Sequence, residues 1–268
     1  MLFRSARFTV LASGSSGNVS LLEVNGFGLL IDCGLFPRTL TARLAAIGSS
    51  WNAIHAVVLT HTHGDHWKDT TLAKMRSLRI PLYAHAQHFD QLNACASSFE
   101  SLHRAKLTRP FVEEQAFAFD GVLTCRPIRV PHDAEPTFAF RLEHHDGDGD
   151  GPAWSVGYAS DLGWAPPGLA DAFASVNVLA VEYNHDEHMQ RTSARPAHLI
   201  QRVLGKQGHL SNRQGAEFTS TVLKQSGPEY PGSLVQLHLS RECNTPALAL
   251  QAGKDAITAF RYPVSVVT

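Results

Sequence analysis

His61-Thr62-His63-Gly64-Asp65-His66 constrains this chain more than any other stretch. It follows the apolar run Ala56-Val57-Val58-Leu59-Thr60, which reads as a buried strand, bounded by a polar turn and too short for a helix. His61 and His63 stand two apart, so on extended backbone their side chains point the same way. Asp65 and His66 fall where the chain turns off the strand and address a second point close by. Six residues therefore offer ligands to two divalent ions. Their imidazole and carboxylate donors admit zinc, manganese or iron. A His-rich loop is commonly just a polar loop, but this order of ligands directly behind a strand is improbable by chance.

The bulk composition is compatible with that reading. At 268 residues the chain is long enough for a substantial core, with 44% hydrophobic and 18% charged residues. Twenty-three Lys and Arg face 24 Asp and Glu, so the net charge of -1 gives no global attraction to nucleic acid. Any polyanion site must be a local patch. Fifteen histidines favour metal chemistry before any motif is read. Cys33, Cys95, Cys125 and Cys243 are far apart, as expected of reduced, mostly buried thiols in a cytosolic protein. Met1 to Val10 lacks a signal-peptide core and no stretch approaches a membrane span, so a cytoplasmic location with no membrane partner is expected.

Apolar runs and turn residues predict strands over 8–12, 19–24 and 28–31, the last two joined by an Asn25-Gly26 hairpin turn. The loop Ser13-Gly14-Ser15-Ser16-Gly17-Asn18 bends tightly and offers backbone N–H groups to an anion. Helices are expected over 40–47, 70–78, 196–204, 213–224 and 245–252, and further strands over 81–84, 125–130, 137–142, 154–159, 176–181 and 234–237. Asp146 to Gly151 imitates the opening of an EF-hand loop, but Gly157 occupies the twelfth position and no helices flank it, so it reads as an exposed hairpin turn. No Pro- or Gly-rich linker divides the chain. One α/β domain over 1–268, with two mixed sheets, is expected.

Four of the apolar strands end on a residue able to bind metal: His61 with His63, His132, Asp161 and His238. Strand C-termini are where α/β proteins place function, because the strand holds the ligand and the loop is free to vary. Each has a bland reading alone, as a loop imidazole, a turn residue or a core histidine. Their joint occurrence outweighs those readings. With Asp32-Cys33-Gly34 ahead of them, the chain resembles metallo-β-lactamase-fold hydrolases throughout. The resemblance implies a four-layer αββα sandwich and a two-metal site. It implies that His61, His63 and His132 hold one ion, that Asp65, His66 and His238 hold the other, and that Asp161 bridges them. Asp65 and His209 form the catalytic set it implies, and Asp32 a structural residue.

His209 opens Gly208-His-Leu-Ser-Asn212, similar to the ribonuclease Z arrangement in which such a His assists phosphodiester cleavage. With Ser13 to Asn18, Glu182 to Asp186 and His238 to Asn244, the chain most resembles the YycJ/WalJ-type, exonuclease-like group. The interval from Asp161 to His238 is too short for a β-CASP domain, and no Gly-rich insertion resembles the tRNA-clamping arm of ribonuclease Z. Two ions about 3.5–4 Å apart can share a water, lower its pKa and clamp the oxygens of a displacement. Together with that chemistry, the resemblance implies a phosphodiesterase, 5′-exonuclease-like, acting on single-stranded DNA or RNA ends, with His209 assisting the phosphoryl or leaving group.

Ser13, Ser15, Ser16, Asn18, Asn184, His185, Ser211 and Asn212 are the expected substrate contacts, although each is more often a turn or cap residue. Arg191, Arg195, Arg202, Lys206 and Arg213 form a basic strip through His209. Trp67, Trp164 and Tyr183 follow proposed ligands closely and offer stacking surfaces, with packing as the equal alternative. The other readings are a thioesterase or lactonase of the glyoxalase II-like type, a small cyclic or nucleotide phosphodiesterase, and a non-catalytic metal-binding protein.

Overall fold

The computed structural model describes residues 6–145, 152–228, 230–258, 260 and 264–267. The Asp146 to Gly151 turn lies outside the described residues. The chain divides into two compact units, 1–124 and 125–268.

Unit 1 begins with β1 (Ala6–Ala12), β2 (Val19–Val24) and β3 (Phe27–Ile31). The turn between β2 and β3 uses Asn25 at φ 50° and Gly26 at φ 84°, the paired positive angles that make Asn-Gly a hairpin former. Next come α1 (Pro37–Ala46), β4 (Ile54–Val58), α2 (Asp69–Leu78) and β5 (Leu82–His85). The unit continues through α3 (Ala86–Cys95), α4 (Ser97–Arg104), β6 (Thr108–Phe111) and β7 (Phe117–Phe119). Its sheet is ordered β1-β2-β3-β4-β5-β6. β1, β2 and β3 pair antiparallel, whereas β3 to β6 run parallel. Parallel strands covered on both faces need unbroken apolar sequence, and all five residues of β3 are buried. Leu30, Val57, Leu72, Met75, Leu82 and Phe99 belong to the core of this unit.

β8 (Leu123–Val130) crosses the boundary. Unit 2 then holds β9 (Thr137–His144), β10 (Trp154–Ala159), α5 (Leu169–Ala172), β11 (Val178–Glu182), α6 (Glu187–Thr192) and α7 (Ala197–Leu204). It closes with α8 (Asn212–Gln225), β12 (Ser233–Leu237), α9 (Pro246–Ile257) and β13 (Ser265–Val267). Its strands are ordered β13-β12-β11-β10-β9-β8. β10 to β13 pair parallel and β9 pairs antiparallel with β10, so this sheet is mixed as well. Phe173, Leu179, Val181, Tyr183, Val222 and Leu234 pack its core.

Cys33, Cys125 and Cys243 are buried free thiols, and Cys95 is an exposed one. Among the described residues, no helix is long and apolar enough to cross a membrane.

Candidate metal centre

In unit 1, β4 stops at Val58 and the ligand motif occupies the loop before α2. Backbone bonds from the Asp32-Cys33-Gly34 turn hold that loop in place. Cys33 N–H donates to the His66 carbonyl at 2.8 Å, and Asn18 N–H to that of Asp65 at 2.7 Å. Gly34 packs so closely that an added Cβ would lie 1.7 Å from the Asp65 carbonyl oxygen, so no other residue fits there.

Asp32 then fixes the rings. It follows β3 at φ 62° and is fully buried. Its carboxylate accepts from Thr60 N–H at 2.9 Å and from the Thr60 hydroxyl at 2.9 Å, and it faces His66 Nδ1 at 2.7 Å. Burial pushes this carboxyl up, countered by the His66 charge and by hydrogen bonds from His66 and Thr60. With the Thr60 proton committed to Asp32, His61 Nδ1 at 3.0 Å is the donor to the Thr60 oxygen. His66 Nδ1 likewise donates to Asp32. Both rings therefore present Nε2 as a lone pair, the form that binds metal. The His61 ring lies 3.9 Å from that of His66 and 4.9 Å from that of His63, centroid to centroid. Asp65 Oδ2 stands 3.8 Å from His66 Nε2, and Asn18 Nδ2 contacts both, at 3.2 and 2.9 Å.

Unit 2 repeats this design around Glu182, the last residue of β11 and fully buried. Glu182 Oε2 accepts from the backbone N–H groups of Leu162 at 2.9 Å and Leu210 at 3.0 Å. Oε1 accepts from Nδ1 of both His209 and His238 at 2.8 Å. Burial alone would raise this carboxyl, but the charges and hydrogen bonds of His209 and His238 hold it well below the usual carboxylate range. His132 Nδ1 donates to the Gly208 carbonyl at 2.9 Å, and burial lowers the pKa of its ring. His132, His209 and His238 thus all turn Nε2 away from their Nδ1 acceptors.

Asp161 lies among these rings. Its Oδ1 is 3.4 Å from His238 Nε2, 3.8 Å from His132 Nε2 and 3.7 Å from His209 Nδ1. Asp161, Glu182, His209 and His238 each place a ligand atom within 4.8 Å of the others'. The donor set is nitrogen and oxygen only, with the imidazole tautomers already those of metal ligands. It fits a divalent cation.

The structure thus brings His61, His63, Asp65 and His66 together in one unit, and His132, Asp161, His209 and His238 together in the other. Glu182 and Thr60 are missing from the sequence-derived set, yet they orient three of these histidines, His61, His209 and His238. The signal for Glu182 is its place: it ends an apolar strand, as the ligands do.

The expected substrate contacts divide sharply. Ser15 and Ser16 are exposed and Ser13 is half-buried, on the loop that carries Asn18. Asn184 gives its side-chain amide to the His238 carbonyl at 2.7 Å. Ser211 completes a capping box on α8 and donates to Glu187 at 2.9 Å. Asn212 and Asn244 exchange amide hydrogen bonds, both at 2.9 Å. These three have internal partners and serve the scaffold. His185 is buried, with no hydrogen-bond partner on either ring nitrogen among the described residues, and burial lowers its pKa to about 4.

The basic strip is largely neutralised. Arg195 pairs with Glu242 at 2.8 Å, Arg202 with Asp133, and Arg213 with both Glu187 at 3.0 Å and Glu217 at 2.6 Å.

Two mixed sheets with helices, and histidines and carboxylates gathered at their strand ends, define a metal-dependent hydrolase of the metallo-β-lactamase fold. The profile of the beta-lactamase superfamily domain matches residues 28–226, and the chain belongs to that family. Over 251 residues the chain is 28% identical to "Exodeoxyribonuclease WalJ" of Streptococcus pneumoniae serotype 2 (strain D39 / NCTC 7466), covering 91% of this chain and 85% of that protein. It is 25% identical to "Exodeoxyribonuclease YycJ" of Bacillus anthracis, covering 90% and 85%. Among solved structures, the metallo-beta-lactamase fold protein YhfI from Bacillus subtilis superposes with a TM-score of 0.68 at 16% identity, covering 99% of this chain and 97% of that one. Divalent ions, typically two, come with this fold.

Proposed function

We infer that the chain is a metal-dependent phosphodiesterase of the nuclease kind, removing nucleotides from the 5′ end of single-stranded DNA, with RNA ends as the second substrate. The observation that carries the reading is the His209–Glu182 pair. It stands beside Asp161 in a chain whose relatives, matched over nine-tenths of its length, carry the name exodeoxyribonuclease.

His61, His63, Asp65 and His66 in unit 1, with His132, Asp161 and His238 in unit 2, are the proposed ligands of zinc or manganese, iron being admitted by the same donors. Bound there, such ions supply a nucleophile at neutral pH and neutralise phosphoryl charge. The family profile spans both units, which supports one domain over 1–268. A cytoplasmic location belongs to the same reading.

The work of the chain itself falls to His209. Glu182 takes its Nδ1–H, so Nε2 is the nitrogen turned to substrate, and the buried carboxylate stabilises the imidazolium. In that state Nε2–H donates to the leaving oxygen or to a phosphoryl oxygen. Asp65, the carboxylate of the motif, is the residue this reading assigns to accept the proton of the attacking water.

Metal-loaded protein is expected to cleave bis-(p-nitrophenyl) phosphate and 5′-phosphorylated single-stranded DNA. His61→Ala should abolish both activities, and His209→Ala should lower kcat by about 10²–10⁴. A thioesterase would tolerate the loss of His209. Replete protein inert toward every phosphodiester sinks the reading.

A further inference from the structure

Of the three aromatics that follow proposed ligands, Tyr183 is a core residue and Trp67 gives its Nε1–H to the Thr62 carbonyl at 2.8 Å. Trp164 is 42% exposed. It lines two cavities. One, of about 490 Å³, has Asp171 and Glu217 in its lining together with apolar Leu210 and Phe218. The other, of about 520 Å³, is lined by residues that include Pro131, Asp133, Arg202, Lys206 and Gln207.

The second cavity is built from the segments that carry the candidate centre. Pro131 and Asp133 flank His132, and Trp164 lies three residues after Asp161. Gly163 N–H donates to the Pro131 carbonyl at 2.8 Å, and Asp133 N–H to that of Gln207 at 3.1 Å. A Cβ added to Gly163 would lie 2.1 Å from the Lys206 carbonyl oxygen, so the two loops touch through backbone. Gly208, which accepts from His132, and His209 come directly after Gln207 of that lining.

Charge distinguishes the two cavities. Arg202 is paired with Asp133, whereas Lys206 is exposed and makes no ion pair among the described residues. The second cavity therefore carries one uncompensated cation beside an exposed indole, whereas the lining of the first holds no cation and two carboxylates, of which Glu217 is paired with Arg213. Single-stranded nucleic acid is held by stacking on aromatic rings and by cations along the backbone, so the second cavity suits it, and the first, with Asp171 and no cation in its lining, does not. Its volume falls within the range of small-ligand sites, roughly 300–1,000 Å³.

We propose that this cavity holds a nucleotide of a single-stranded DNA substrate next to the scissile phosphate, with its base stacked on Trp164 and a backbone phosphate on Lys206. This assignment rests on the phosphodiesterase reading given above.

The test compares metal-loaded parent, Trp164→Ala, Trp164→Tyr and Lys206→Glu on a 5′-phosphorylated oligothymidylate and on bis-(p-nitrophenyl) phosphate. Trp164→Ala should raise KM for the oligonucleotide about tenfold with a smaller effect on kcat. The ratio of kcat/KM for oligonucleotide over small diester should fall by a similar factor. Trp164→Tyr should recover most of that loss, and Lys206→Glu should show a defect that fades as salt rises. A ratio within twofold of the parent in both Trp164→Ala and Lys206→Glu overturns the proposal, as does an equal loss on both substrates. Tryptophan fluorescence, titrated with the same oligonucleotide, supplies a readout independent of turnover. Saturable quenching that Trp164→Phe abolishes supports the cavity, and quenching unchanged by that substitution overturns it. Tighter binding of oligouridylate overturns the DNA assignment. If the parent cleaves neither diester, the phosphodiesterase reading falls and the fluorescence titration alone decides the cavity.

Discussion

Glu182 places two hydrogen-bond acceptors, out of reach of water, against four N–H donors: two backbone amides on Oε2 and two imidazole Nδ1–H groups on Oε1. A glutamine cannot replace it, because its NH₂ group must face one of those two sets. Whichever way the amide turns, two donors lose their acceptor. Leaving a buried donor unsatisfied costs about 1–3 kcal/mol, and disturbing the partner of a ligand histidine weakens metal binding by about 10–100-fold. Glu182→Gln should therefore lower the urea midpoint and, in competition with a chromogenic chelator, bind its metal at least tenfold more weakly. Unchanged affinity would remove Glu182 from the support of the centre.

The same residue marks the limit of reading a site from spacing. His61, His63, His132, Asp161 and His238 are legible because strand ends follow from apolar runs. Asp32, Asp161 and His238 then take positive φ values of 62°, 56° and 58°, a strained conformation that Asp and His tolerate better than most residues. That turn, invisible in the pattern, aims the side chain. Nor does spacing tell a group facing substrate from one already satisfied. Asn184, Ser211 and Asn212 look like donors in the chain and are scaffold in the fold.

Among the elements, strands and long helices are legible because their apolar periodicity is long, as in β10 and α8. The short pieces are not: α5 has four residues, α6 has six and β13 has three, too few for a period to register. Helix starts depend in addition on partners far away in sequence. α4 begins at Ser97 behind Ala96, which has no capping side chain. Its cap comes from Asp69 at the start of α2, which accepts from Ser98 N–H at 2.7 Å and from the hydroxyls of Ser98 and Ser97 at 2.9 and 3.0 Å. Desolvation is the largest single influence on the Asp69 carboxyl and raises it, but the three bonds from Ser98 and Ser97 together outweigh it and set its pKa below the usual value. A carboxyl with a lower pKa when folded stabilises the protein fully above its unfolded pKa, about 3.9, and loses that contribution as pH falls through the folded value. Asp69→Ala should cost about 1 kcal/mol at pH 7, the typical worth of a cap. The gap from the parent should narrow below about pH 4. Urea midpoints measured at pH 7 and pH 3 check this, and a gap of equal size at both would show that the Asp69 charge has no part in the cap.

For the molecule as a whole, the sequence places five cations between Arg191 and Arg213 with no acidic residue nearer than Glu187 on one side and Glu217 on the other. Folding brings Glu242 to Arg195 and Asp133 to Arg202, partners 47 and 69 residues away, and sets both Glu187 and Glu217 against Arg213. Three of the five charges are thereby met; Arg191, whose charge acts on Glu187 from farther off, and Lys206 make no ion pair among the described residues, in a chain whose net charge is -1. Binding of single strands falls with salt as about 0.7 logarithmic units per released phosphate contact and tenfold salt change. With one or two contacts, affinity for an oligothymidylate should drop only about three- to sevenfold between 50 and 200 mM salt. If instead the arginines leave their acids to meet phosphates, the slope steepens and the same change costs a hundredfold or more. Fluorescence titrations across that salt range separate the two cases. A shallow slope would mean that stacking and the metal centre, rather than the strip, provide most of the hold on substrate.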